Sequence, residues 1–266
     1  MNDTREDVKA YWDSRAHLGK MAGTPDLIAK QIEMKTIVSC FTDDATDIVV
    51  DAGCGNAITA VFLKKQRPGL TISGFDNSEE MVSASRRYAK KEGADISFSE
   101  ASVLDWTPET PPDVVYSERT IVNLPDWDAQ RAAILRIIQN LKPGGTYLMM
   151  ENCQDSVHML NLWRQSLGLS EIKPPWHNRY MRDAEVAAIA HNAWGKLETI
   201  IEYSSMYYFL SRVVNAWQAK QENKKTEYDS PINELALKVP PSGIPNLPGQ
   251  GRLWVWKANE SVDLSI

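Results

Sequence analysis

Short apolar runs recur through the middle of the chain at intervals that leave room for a helix between neighbours. Strand patterns fall near residues 47–52, 70–76, 95–99, 112–117 and 144–152, and helical patterns such as 58–66 and 130–141 lie between them. Strands alternating with helices predict an α/β fold, a doubly wound, mostly parallel sheet with right-handed crossovers. Further on, the pattern predicts a helix over 183–193, a long strand over 197–209, a helix around 211–221 and a last strand over 252–257. The aromatic segment 203–212 reads as an edge strand running into a helix start.

Candidate chemistry begins where the first strand ends, in Asp51-Ala52-Gly53-Cys54-Gly55-Asn56-Ala57. Glycines there let backbone N–H groups come close to a ligand, and the N-terminus of the next helix favours anionic groups. A charged ligand carrying a carboxylate is expected. The dinucleotide fingerprint needs a third glycine in G-x-G-x-x-G, and Ile58 stands at that place. The second strand ends in Asp76, an acid able to accept both hydroxyls of a ribose, which nicotinamide and S-adenosylmethionine (SAM) cofactors both present. After it, Asn77-Ser78-Glu79-Glu80-Met81 reads as a helix start, with Ser78 as the cap and Met81 as an apolar neighbour for adenine.

An acid two residues before the first of two alternate glycines resembles motif I of the class I SAM-dependent methyltransferases, which usually have a third glycine where this chain has Ala57. Three more segments carry the resemblance: the strand ending at Asp76, the run Asp95 to Trp106, and Pro112 to Ser117 followed by Lys142-Pro143-Gly144-Gly145. Together they span residues 47 to 151 in the family's order. The resemblance implies a seven-stranded Rossmann-like sheet whose last two strands form an antiparallel pair at its edge. It also implies SAM as cofactor, with Asp51, Ala52, Gly53, Cys54, Gly55, Asp76, Asn77 and Met81 as contacts. At the adenine the register is open: aligned on Leu104, Glu100 takes the family's usual acidic place, and aligned on the next turn, Asp105 does. The preferred contacts are Ser102, Val103 and Asp105. Glu118 joins the cofactor set, because Tyr116 to Pro125 occupies the segment with which the family touches the methionine moiety and the acceptor.

Outside the minimal fold, residues 1–46 read as a helical cap of two amphipathic helices, with Tyr11, Trp12, Ile28, Ile32 and Ile37 apolar, lying over the open cofactor face. The methyltransferase core then spans 47–266, with insertions at 153–180 and 210–250. The first insertion carries Lys173-Pro174-Pro175-Trp176-His177-Asn178-Arg179-Tyr180, a loop stiffened by its prolines, and the second carries the proline loop 239–245. Ligands bind beyond the carboxyl ends of strands in such sheets, so both insertions are placed to build an acceptor pocket.

At 266 residues and 43% hydrophobic content, one full α/β core suffices. The net charge of −6 leaves no field to hold a phosphate backbone, and the amino-methylation motif Asn-Pro-Pro-Tyr is absent, so nucleic acid is not expected. Lysines 220, 224 and 225 read as a solvated helix end. No apolar leader or long apolar run is present, so a cytoplasmic protein without membrane insertion is expected. The three cysteines, Cys40, Cys54 and Cys153, lack CxxC spacing and predict neither disulfides nor zinc.

Methyl transfer from a sulfonium donor needs the acceptor positioned. An alcohol also needs a base, whereas a carboxylate needs only a cation to hold it. His17 and His191 read as packed or surface imidazoles, while His158 and His177 face the acceptor side and are the candidate bases. Glu118 and Glu151, with Asn152 and Asp155, could hold Mg²⁺, but caps or cofactor contacts explain them equally and no metal is assigned. Arg119 could bind an anionic acceptor through its planar fork, or form a surface ion pair. The segments "ERTIVNL", "WHNRY" and "LSRVV" resemble a subgroup of methyltransferases found in bacterial surface-polysaccharide clusters. That likeness implies oxygen methylation of a small polar, carbohydrate-derived acceptor, with Arg119, Trp176, His177, Tyr180 and Arg212 as contacts. Small-metabolite methylation at nitrogen, carbon or a carboxyl, a non-catalytic SAM-binding protein and a homodimer all stay open.

Overall fold

A computed structural model describes residues 5–238 and 249–260; the proline loop 239–245 lies outside the described residues. Seven strands form one sheet: β1 (Ile48–Ala52), β2 (Thr71–Asp76), β3 (Ser97–Glu100), β4 (Val114–Glu118), β5 (Thr146–Asn152), β6 (Gly195–Ile201) and β7 (Gly251–Ala258). Their order is β3-β2-β1-β4-β5-β7-β6, with β7 antiparallel to both neighbours and the remaining pairs parallel. Strand order reverses between β1 and β4, which opens a crevice at their carboxyl ends.

The central strands are apolar on both faces because both faces are covered. Val49, Ile72, Tyr116 and Leu148 pack into one core, and their alternates Val50, Phe75, Val115, Tyr147 and Met149 into the other. The covering helices are α1 (Arg5–Arg15), α2 (Leu27–Ser39), α3 (Ile58–Gln66), α4 (Glu79–Glu92), α5 (Trp127–Gln139), α6 (Gln154–Ser166), α7 (Asp183–Ala188), α8 (Ser205–Phe209), α9 (Asn215–Gln221) and α10 (Pro231–Leu235). Side chains fix several starts: Asp26, Ser78 and Asp126 accept from the N–H groups of Ala29, Met81 and Ala129. Among the described residues, no helix is long and apolar enough to cross a membrane.

Two expected elements differ. The strand expected over 197–209 ends at Ile201, and 205–221 is helical, with a π turn over Leu210–Val214 joining α8 to α9. Ser211 stands four and three residues after Tyr207 and Tyr208 along the helix, and all three are buried. The helix expected over 183–193 stops at Ala188. Its chain is captured by a bridge between His191 and Lys196 and by Asn192, whose side chain accepts from the N–H groups of Trp194 and Gly195.

One buried amide ties the loop 173–180 to the turn after β4. Gln130 on α5 donates to the carbonyls of Ile121 at 3.2 Å and Arg179 at 2.7 Å, and accepts from Arg179 Nη1 at 2.7 Å. Gln130→Ala removes the side-chain donor of the Arg179 carbonyl and one partner each of Ile121 and Arg179 Nη1, and should lower unfolding free energy by about 1–3 kcal/mol. Urea denaturation followed by circular dichroism checks this.

Candidate active site

Three residues in the left-handed region bend the chain between β1 and α3: Gly53 (φ 75°), Gly55 (φ 53°) and Ala57 (φ 62°). Ala57 therefore takes up the geometry for which a glycine would be the easier choice. The N–H groups of Gly53 and Cys54 donate to the carbonyl of Phe75 at 2.8 and 2.9 Å, fastening the turn to β2. A Cβ on Gly53 would lie 2.3 Å from Thr120 Oγ1, so the turn also packs against the loop after β4; a Cβ on Gly55 would meet only open space.

Asp76 ends β2 beside this turn and accepts from the N–H groups of Gly55 and Ser78, each at 2.9 Å. Burial pushes its carboxyl above the usual range, against the pull of those N–H groups. Burial likewise pushes Asp51, at the end of β1, up to about 7. Both acids line a cavity of about 950 Å³ over the carboxyl ends of β1, β2 and β4.

The cavity is roofed by the N-terminal helices and the loop 173–180. Tyr11 of α1 stacks on His177 at 4.2 Å between ring centroids, and Trp12 meets the same imidazole edge-on at 5.4 Å. Asn123 joins the parts: its Oδ1 accepts from Trp12 Nε1 at 3.3 Å and Asn178 Nδ2 at 3.0 Å, while its Nδ2 donates to the Arg119 carbonyl at 2.7 Å.

Charged groups occupy the floor. Lys30 of α2 pairs with Glu118 at 2.5 Å, and Thr59 donates to the other Glu118 oxygen at 2.6 Å. Arg119 follows at φ 54° and holds Nη2 3.4 Å from both Glu33 and Glu118. A non-glycine residue in that region is strained, and strain of this kind gathers at functional sites. Glu151 fixes the loop from beneath, accepting from the N–H groups of Thr120 at 3.1 Å and Ile121 at 2.9 Å; burial raises it to about 7 despite them. Burial opposes the charge on Glu118, but Lys30 and Arg119 outweigh it and hold the carboxyl down at about 2. Burial raises Glu33 to about 8, with Arg119 pulling the other way.

A second pair stands nearby. Arg212 Nη2 meets Asp26 at 2.6 Å, Tyr207 donates to the same carboxylate at 2.5 Å, and the guanidinium lies over the rings of Tyr208 and Tyr228 at 5.0 and 4.8 Å. Burial opposes the charge on Arg212, yet these acidic and phenolic neighbours keep it firmly protonated. The Tyr180 hydroxyl, which accepts from Gln250 Nε2 at 3.3 Å, lies within electrostatic reach of both Arg119 and Arg212.

The cavity lining gathers most of the residues singled out from sequence: Asp51, Gly53, Cys54, Gly55, Asp76, Asn77, Met81, Ser102, Val103 and Glu118 on the donor side, and Arg119, His177, Tyr180 and Arg212 on the acceptor side. Ala52 lies beneath it, buried in the sheet. Asp105 is exposed and off the lining, and Glu100, also off it, pairs with Lys9. His158 is exposed on α6, away from the lining. Trp176 stands 52% exposed, its edge against Tyr11 and His177. Burial, with Arg15 nearby, lowers His177 to about 4 and leaves a neutral imidazole at neutral pH. Of the acids weighed for Mg²⁺, Glu118 and Glu151 have protein donors on their oxygens. Cys153, Asp155 and Asp183 form a ligand-like group among the described residues, in which Arg252 pairs with Asp183 and the Asp183 N–H donates to Asp155.

Sequence reasoning missed Asp26, Lys30 and Glu33. Only the cap position of Asp26 could have drawn attention, because the partners of these side chains lie far along the chain.

Residues 49–145 match the family described as "Methyltransferase domain". This stretch is similar to a methyltransferase domain, in line with the class I, SAM-dependent resemblance of its motifs. The chain is similar to a trans-aconitate 2-methyltransferase of Acidovorax sp. (strain JS42), 30% identical over 129 residues, covering 45% of this chain and 47% of the relative. A protein of the same name from Azoarcus sp. (strain BH72) is 26% identical over 186 residues, covering 69% of this chain and 65% of the relative. The chain thus spans less than two thirds of either relative. The fold matches that of magnesium protoporphyrin IX methyltransferase from Synechocystis PCC 6803 with bound S-adenosylhomocysteine (SAH), with a TM-score of 0.62, 13% identity and coverage of 96% and 99% of the two chains.

The residues present suit such a donor. The glycine turn opens onto free space at Gly55, Asp76 keeps lone pairs beyond its two backbone bonds, and Met81 and Val103 supply apolar wall beside them. Asp76→Ala should weaken SAH binding more than about tenfold while the thermal midpoint falls by only a few degrees, as calorimetric titration and a thermal melt would show.

Proposed function

We propose that the protein is a SAM-dependent methyltransferase that esterifies a carboxylate of a small organic anion. The observation that carries this reading is a pair of guanidinium groups, Arg119 and Arg212, lining the same cavity as the glycine turn. When bound, SAM supplies a methyl group on a sulfonium leaving group: one acceptor oxygen forms a bond to the methyl carbon as the carbon–sulfur bond breaks. The protein has to hold the acceptor in line and keep water out. A carboxylate brings its own negative charge, so no proton has to be removed.

His177 supports the same choice. With its pKa lowered to about 4 it is a weak base, ill suited to deprotonating an alcohol, but its ring helps seal the roof through Tyr11 and Trp12. The relatives described above carry trans-aconitate in their names, a substrate bearing carboxylates. A carbohydrate-derived alcohol, implied by the surface-polysaccharide likeness, has no counterpart in those names and would need a stronger base than His177. Planar, bidentate recognition by arginine suits a carboxylate.

The test is transfer of labelled methyl from SAM to a panel of di- and tricarboxylates, trans-aconitate included. A methyl ester releases labelled methanol in mild alkali; a base-stable product from an alcohol or amine would overturn the reading. Arg212→Ala should raise the acceptor KM more than about tenfold and leave the SAH dissociation constant within about twofold, measured by steady-state kinetics and calorimetry.

A further inference from the structure

Glu33 is the buried acid that the proposed reaction leaves without a role. α2 carries it into the interior behind Arg119, where its side chain is 2% exposed. Its Oε2 lies 3.4 Å from Arg119 Nη2 and has no hydrogen-bond partner. Glu118, against the same guanidinium, takes Lys30 on one oxygen and Thr59 on the other. Two carboxyl groups pressed together away from water share one proton, and the better-solvated member keeps the charge. Here that member is Glu118. Lys30 and Arg119 then face a single anion, and one positive charge stands uncompensated at the cavity wall.

We propose that Glu33 is a positioning residue acting through Arg119: held uncharged behind the guanidinium, it leaves Arg119 free to bind a carboxylate inside the cavity. The carboxylate belongs either to the methionine part of the donor or to the acceptor, and the inference rests on the proposed function for both. Ionisation of Glu33 would supply a second anion and close the site to carboxylates. The groups facing Glu33 are Lys30 on α2, Glu118 and Arg119 at the end of β4, and Tyr203 and Tyr208 beyond β6. Burial keeps both phenols neutral well past the range in question.

The test uses the full chain, wild type and Glu33→Gln. SAH, and then trans-aconitate added to the SAH-bound protein, are titrated calorimetrically at about pH 7 and about pH 9. The wild type should lose about tenfold in affinity for one of the two between these values, while Glu33→Gln should lose less than about twofold. Loss on SAH assigns the donor's carboxylate, and loss on trans-aconitate the acceptor's. A wild type with no loss on either ligand overturns the proposal. So does an equal loss in Glu33→Gln, which would move the titration to Asp51. Glu33→Met, uncharged and of similar length, takes the place of the amide variant if that one does not fold. Because both readouts are binding, a protein that transfers no methyl group still answers the question.

Discussion

Charge taken out of water has to be paired, and that requirement organises the cavity. Glu118, at the tip of β4, is held ionised beneath a roof by Lys30 together with Arg119, and Lys30 is brought there by α2. Arg212 depends in the same way on Asp26, the residue that also caps α2. One helix therefore supplies the counter-charges for both halves of the floor. Its own apolar side, Ile32 and Ile37, packs into the core beside α3. The roof is consequently fixed to the sheet by ionic contacts as well as by packing, and the guanidinium groups it positions are held stiffly instead of sampling solvent.

The cavity divides by provenance. Groups on the donor side come from strand ends and the turns following them, within the matched stretch 49–145. Of the groups proposed for the acceptor side, His177 and Tyr180 come from the loop 173–180 and Arg212 from the helical segment 205–221, all outside that stretch, and Arg119 alone lies within it. A sulfonium nucleoside is the same in every member of such a family, so its cradle can stay local and recurrent. Acceptors differ, and side chains that recognise them are borrowed from whichever inserted segment reaches the crevice.

This division also explains what could be read from the chain. The sheet, its order of elements and the glycine turn were legible because each is written in a contiguous run: an apolar strand, an acid, small residues, then a helical period. Even Ala57 in place of a glycine did not obscure the turn, since the flanking residues set its path. The end of β6 was not legible. Residues 203–209 are aromatic and strand-like in composition, yet 205–209 are helical, with Tyr207 and Tyr208 both packed into the interior. Nor was the ionic floor. Lys30 meets Glu118 and Asp26 meets Arg212 across long sequence separations, and a polar residue on an amphipathic helix reads as solvated until its partner is in place. Asp105 shows the converse: a motif alignment favoured a carboxylate that the fold leaves exposed and outside the lining.

Proton linkage ties this floor to the stability of the whole chain. Asp51, Glu151 and Glu33 have folded pKa values raised by burial to about 7, about 7 and about 8, so the folded state holds protons that the unfolded chain has released. Each therefore lowers stability progressively as pH rises from its unfolded value of about 4 towards its folded one. Glu118 works in the opposite sense: its contribution is present above its unfolded value and is lost as pH falls towards about 2. At neutral pH the cavity is thus a net strain on the fold, concentrated on acids that line or support it. A cation bound beside Asp51 would lower that carboxyl's pKa and recover part of the loss. Of Asp51, Glu151 and Glu33, Asp51 lines the cavity, and it is accordingly the one through which a cationic ligand would stabilise the fold.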